Sequence, residues 1–259
     1  MTPLPFFQVD AFASKAFEGN PAAVMPLTEW LPEATMQAIA AENNLAETAF
    51  TVPSERDDAD YDLRWFTPTV EVNLCGHATL AAAHILLHGA AVRFATKSGI
   101  LTVSRGADLL RIDMPAAPVE PTDLPALTRA LGVDAPVFMS REGNGNTIVL
   151  LENEAAVRAV TPDFAALRQL DYLVSVTAPG DDTAIASRVF AAYHGIDEDP
   201  VTGSAHCALV PFWATRLGRH HFTALQASKR GGHLDCELHG DRVILGGHCV
   251  TVIEGHFQL

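Results

Sequence analysis

The chain is poor in the residues that mark several common functions. Its four cysteines, Cys75, Cys207, Cys236 and Cys249, lie far apart with no Cys-x-x-Cys pair, so reduced thiols are expected, and neither a disulfide framework nor a zinc site. Basic residues are scarce: 17 Lys and Arg stand against 31 Asp and Glu, a formal charge of −14, and they are scattered along the chain. That balance argues against a nucleic-acid or anionic-membrane surface. No uncharged apolar run reaches the roughly 18 residues of a membrane span. The opening Met1-Thr-Pro-Leu-Pro-Phe-Phe-Gln8 has no basic segment ahead of an apolar one, and a cytoplasmic protein is expected. G-x-G-x-x-G, Walker and pyridoxal-lysine patterns are missing, which points to chemistry without a cofactor. Gly143-Asn-Gly-Asn-Thr147 has too few glycines, in the wrong order, for a phosphate loop and reads as a hairpin turn. His84 and His88 stand at i, i+4, a metal-binding spacing, but no nearby carboxylate or cysteine completes a site, so no metal is expected.

What is present is a large apolar fraction, 48% of 259 residues, enough for one large or two ordinary domains with their own cores. Short alternating runs predict strands at 6–12, 47–52, 62–66, 93–96, 100–104 and 109–114, and Met36, Ile39 and Ala40 predict a helix over 33–42. Pro115, Pro118, Pro121 and Pro125 fall in a stretch without periodicity, which reads as a mobile linker between domains. Beyond it the alternation repeats, with strands near 137–140, 147–151, 172–177, 187–193, 222–227, 233–238 and 242–245 and a helix over about 203–216. The expected domains are 1–115, with the last strand at about 250–259 as a candidate addition, and 116–249.

Two stretches carry the same device. Asn73-Leu-Cys-Gly-His-Ala-Thr-Leu80 and Asp199-Pro-Val-Thr-Gly-Ser-Ala-His206 each place a glycine at the opening of an apolar helix. A helix start presents unpaired N–H groups and partial positive charge, which suit a carboxylate or a developing enolate. The first helix, about 78–87, is apolar on nearly every face, so it should be enclosed. The expected fold is α+β: two similar halves, each a curved, mostly antiparallel sheet wrapped around a central apolar helix, with the active site in the cleft between them.

Seven stretches in order carry a family likeness: Asp10-Ala-Phe12, Gly19-Asn-Pro-Ala-Ala-Val24, Glu42-Asn-Asn-Leu-Ala-Glu-Thr-Ala-Phe50, Arg64-Trp-Phe-Thr-Pro68, Cys75-Gly-His-Ala-Thr79, Asp199-Pro-Val-Thr-Gly-Ser-Ala205 and Gln226-Ala-Ser-Lys-Arg-Gly-Gly232. The chain resembles the phenazine-biosynthesis PhzF-like isomerases, which share the diaminopimelate epimerase-like fold. The resemblance implies a cofactor-independent isomerase that shifts a proton on a small carboxylate; named family members act on a dihydro-hydroxyanthranilate. It places Glu47 as the general acid/base, since a carboxyl in a desolvated cleft can take and return a proton near neutral pH. It implies that Gly76, His77, Gly203 and Ser204 hold negative charge and that Asp199, also read as a helix cap, fixes an amino or hydroxyl group. Cys75 and Asn20 are secondary candidates. A helix start lowers a thiol's pKa, so Cys75 can be a base, but the second turn offers no matching thiol, which disfavours an amino-acid epimerase. That epimerase and a non-catalytic metabolite-binding protein are the alternatives. Ala46 stands where the family usually has serine. A homodimer is expected from the resemblance.

Overall fold

A computed structural model of the chain describes residues 3–140 and 145–259; Gly143 and Asn144 of the expected hairpin turn lie outside them. The chain divides into one unit of residues 1–113 with 246–259 and a second of 114–245.

The first unit contains β1 (Leu4–Ala11), β2 (Asn20–Pro26), α1 (Glu33–Asn43), β3 (Glu47–Pro53), β4 (Tyr61–Phe66), β5 (Glu71–Val72), α2 (Gly76–Leu86), β6 (Ala91–Thr96), β7 (Gly99–Arg105) and most of β8 (Leu110–Pro115). The second contains β9 (Val119–Thr122), α3 (Pro125–Leu131), β10 (Val137–Ser140), β11 (Asn146–Leu150), α4 (Glu154–Ala159), α5 (Phe164–Leu167), β12 (Leu173–Pro179), β13 (Ile185–Ala191), β14 (Ile196–Asp199), α6 (Gly203–Leu217), β15 (His221–Gln226) and β16 (Gly232–His239). In β17 (Arg242–Gly247) the chain returns to the first unit, and β18 (Cys249–Phe257) lies antiparallel to β1.

The two units repeat one pattern. In the first, β2 and β3 are parallel with α1 as crossover, β3 and β4 are antiparallel, and β4 and β6 are parallel with α2 as crossover. In the second, β11 and β12 are parallel across α4 and α5, β12 and β13 antiparallel, and β13 and β15 parallel across α6. Parallel neighbours need such crossovers because a tight turn cannot join them. Within each unit the strand pairings are mostly antiparallel. Residues 76–83 of α2 are all buried, and the helix packs on β1, β2, β3, β7 and β18. On the other sheet face, Met36, Ile39 and Ala40 of α1 pack with Met25, Phe50 and Phe66. With helices on both faces, β3 buries five consecutive residues, including Thr48 and Thr51, although its sequence alternates.

The proline-rich stretch is not a free linker. β9 pairs with β10, Pro121 opposite Phe138, and an edge strand tolerates a proline that has no N–H to donate. Pro211, inside α6, has no N–H for the Cys207 carbonyl; that carbonyl accepts instead from Ala117 N at 2.8 Å. The segment is therefore built into the second unit. Among the described residues no helix is long and apolar enough to cross a membrane.

Candidate active site

In the first unit the sheet brings together residues that are distant in sequence. Parallel pairing sets Ala22 of β2 opposite Glu47, the first residue of β3, so the start of β2 with Asn20 lies at the same sheet end. A left-handed Asn44 closes α1, and Asn43 Nδ2 donates to Thr48 Oγ1 at 3.1 Å, which fixes the turn that delivers Glu47. Ahead of α2, Arg64 grips Glu71 with two hydrogen bonds of 2.8 and 2.7 Å, and Ser98 Oγ donates to the Asn73 carbonyl at 2.8 Å. Cys75 then occupies the N-cap position of α2 in extended backbone, with no side-chain cap.

His77, the second residue of α2, is the hub. Its Nε2 is 3.1 Å from Glu47 Oε2, and its Nδ1 lies 3.2 Å from Asn20 Nδ2 and 3.6 Å from Cys75 Sγ. Nδ1 therefore faces the Asn20 side-chain amide and the Cys75 thiol, and Nε2 faces Glu47. The Nε2 to Oε2 approach is close but out of line, so among the described residues both atoms are buried without an ordinary hydrogen bond. The His77 side chain is 5% exposed and that of Glu47 13%.

Burial acts to depress His77, yet the negative charges of Cys75, when ionised, and of Glu47 outweigh it and raise the imidazole well above its ordinary value. Cys75 moves opposite to the sequence expectation: burial first, then the Glu47 charge, push its thiol up, and these outweigh its contacts with His77 and the Ala78 N–H. The thiol therefore stays neutral near pH 7, which leaves Glu47 as the charge that raises His77. Glu47, Cys75 and His77 offer oxygen, sulfur and nitrogen within 4.8 Å of one another, the one such metal-competent trio among the described residues. His84 instead pairs with Thr251 Oγ1 at 3.1 Å.

In the second unit the matching turn is built differently. Asp199 closes β14, and Thr202 rather than Asp199 occupies the N-cap position of α6. Asp199 stands three residues ahead of that position, so it is not itself the cap, and its carboxylate accepts a hydrogen bond from the Thr202 hydroxyl. Gln226, wholly buried, accepts from Thr202 N at 2.8 Å and donates to the Asp199 carbonyl at 2.8 Å. Gly203 and Ser204 open α6 with no side-chain cap, so their N–H groups lie at an uncapped helix start. His206, one turn further, donates from Nδ1 to the Thr202 carbonyl at 2.8 Å.

The description "phenazine biosynthesis-like protein" covers a family whose pattern matches residues 9–255. A Pseudomonas aeruginosa protein named as an uncharacterized isomerase is 49% identical over 99% of both chains. The chain belongs to the phenazine biosynthesis-like family. A crystal structure of a PhzF-family protein from Enterococcus faecalis superposes with a TM-score of 0.93, at 43% identity and 100% coverage of both chains. A Pseudomonas aeruginosa structure described as a predicted epimerase, 22% identical, shares the fold at a TM-score of 0.72, covering 99% of each chain. The diaminopimelate epimerase-like architecture expected from the resemblance is thus the fold of this PhzF-like chain.

Of the sequence candidates in this family member, Asn20, Glu47, Cys75 and His77 meet in one cluster, next to Gly76 in the chain, while Asp199, Gly203 and Ser204 share the α6 turn. Thr202 and Gln226 were not singled out for a role. Both lie inside the quoted family stretches, but the bond between them joins positions 24 residues apart and has no signature in either stretch.

Proposed function

We propose that this chain is a cofactor-independent isomerase that moves a proton on a small carboxylate-bearing substrate, with Glu47 as the group that removes and returns it. The observation that carries the reading is the buried pair of Glu47 Oε2 and His77 Nε2, 3.1 Å apart and, among the described residues, both lacking a well-aligned hydrogen bond, beside an uncapped helix start. Buried polar atoms of this kind cost free energy unless a ligand uses them. In the proposed step, Glu47 takes a proton from a carbon next to an unsaturated system. The C–H electron pair passes into the conjugated system, and the same proton returns from Glu47 to a different carbon of it. His77 Nε2–H and the Gly76 N–H would face the developing negative charge, each such donor contributing about 3 kcal/mol. Asp199, Gly203 and Ser204 keep the substrate-binding roles that family likeness implies. A small unsaturated cyclic carboxylate is the proposed substrate class.

The epimerase alternative needs bases on both faces of one carbon. Thr202 stands in α6 where Cys75 stands in α2, and its hydroxyl is already engaged with Asp199 and Gln226, so a second base of that kind is missing from this turn. The homodimer and the cytoplasmic setting belong to the same proposal; light scattering checks the first.

The test is NMR of cyclic and amino-acid carboxylates incubated in D2O with wild type, Glu47→Gln and Cys75→Ala. Deuterium should enter one substrate, drop by about 10² to 10⁴-fold in Glu47→Gln, and persist in Cys75→Ala. Equal exchange in Glu47→Gln would remove Glu47 as the base, and loss in Cys75→Ala would assign that role to the thiol. A protein that binds a carboxylate without exchanging any hydrogen would be the non-catalytic alternative.

A further inference from the structure

The carboxamide of Gln226, the last residue of β15, spends every hydrogen bond it makes on one turn. Its Oε1 accepts from Thr202 N at 2.8 Å; its Nε2 donates to the Asp199 carbonyl at 2.8 Å and to Thr202 Oγ1 at 3.1 Å. Because Oγ1 receives a hydrogen from Gln226, the hydroxyl hydrogen is left for the Asp199 carboxylate, to which it is donated. The bonds run in one direction, from the Gln226 amide through the Thr202 hydroxyl to Asp199 Oδ2. Gln226 is 0% exposed and Thr202 7%, so water does not compete for this chain.

The first unit serves as an internal control. Ser98 donates to the Asn73 carbonyl, two residues before the N-cap of α2, as Ser228 donates to the Pro200 carbonyl, two before the N-cap of α6; both bonds are 2.8 Å. That pair of bonds is common to both repeats and holds the turn. At the place of Gln226, the end of β6, the first unit has Thr96, whose hydroxyl donates to the Gly99 carbonyl at 2.7 Å and stays within its own turn. The turn therefore forms without a buried amide, and the amide is added in the repeat that carries Asp199.

We propose that Gln226 is a positioning residue that orients the Asp199 carboxylate through the Thr202 hydroxyl. The inference rests on the substrate-binding role proposed for Asp199. The closing experiment therefore has one arm without substrate: the ¹³Cγ signal of Asp199 at pH 7, assigned with Asp199→Asn, in Gln226→Met, Thr202→Val and Thr202→Ser. Gln226→Met and Thr202→Val should move the signal alike, and Thr202→Ser, which keeps the hydroxyl, should leave it in place. The second arm measures kcat and KM on whichever carboxylate the wild type exchanges. KM should rise about tenfold with kcat retained in both disruptive variants, and the double variant should be no worse than either, because both cut one relay. An Asp199 signal unmoved in Gln226→Met, or additive losses in the double variant, would overturn the relay. If Gln226→Met does not fold, the contrast between Thr202→Val and Thr202→Ser decides: equal Asp199 signals in those two variants would overturn it as well. If the signal moves as expected but no carboxylate is exchanged, the relay stands and the proposed function fails.

Discussion

Acid should weaken this protein through His206. The side chain is wholly buried, its Nδ1–H is committed to the Thr202 carbonyl and its Nε2 has no hydrogen-bond partner among the described residues. Burial, only partly offset by that carbonyl, lowers its pKa from the ordinary 6.5 to about 4. Between those values the unfolded chain binds a proton that the folded chain refuses, so stability is intact above pH 6.5 and is lost as pH falls toward 4. The linkage relation puts the loss at about 2 kcal/mol by pH 5 and about 3 kcal/mol by pH 4 relative to neutral pH. His206→Thr is the matched variant, since Thr79 holds the same place in α2 and donates to the Cys75 carbonyl in the same way. Urea denaturation of both proteins at pH 7, 5 and 4 isolates the effect, because any cavity left by the substitution adds a pH-independent offset. The stability of wild type relative to His206→Thr should shrink by those amounts. A difference that stays flat from pH 7 to pH 4 would mean that His206 protonates in the folded protein without penalty, and the reasoning from burial would be wrong.

His77 should behave in the opposite sense. Its pKa is raised, so its contribution to stability is fully present below the unfolded value near 6.5 and is lost as pH rises through the folded one; ¹⁵N NMR should find it still protonated at neutral pH, and Glu47→Gln should lower its midpoint. In that charged form Asn20 must present its amide oxygen to Nδ1. The Cys75 thiol, raised by burial and by Glu47, should alkylate with iodoacetamide more slowly at pH 7.5 than a free thiol, and a rate at or above that of free cysteine would contradict it. Gly19→Ala should destabilise the first unit by more than about 1 kcal/mol: φ is +64° and an added Cβ would lie 2.1 Å from the Ala11 carbonyl oxygen. A thermal midpoint equal to wild type would show that the β1–β2 loop relaxes around it.

What the sequence determined by itself was local. Gly76 and Gly203 open helices where their motifs place them, and α2, apolar on nearly every face, is enclosed, since helix starts and hydrophobic faces are set by residues within a few positions of each other. The proline-rich segment misled for the same reason: proline disfavours a central strand, but only the sheet places β9 at an edge where Pro121 is tolerated. The family stretches marked Glu47, Cys75 and His77 as candidates, and no periodicity in them says that Glu47 meets the ring 30 residues later, or that Asn20 reaches it across 57 positions. Those meetings follow from the parallel register of β2 and β3 and from the crossover that returns α2 against them. The same holds for the upward shift of the Cys75 thiol, which depends on burial and on Glu47, and for Gln226, whose partners lie on another element. Tertiary structure decided these because a hydrogen-bond partner or a dielectric environment is a property of what the fold packs alongside a residue, and chain neighbours do not encode it.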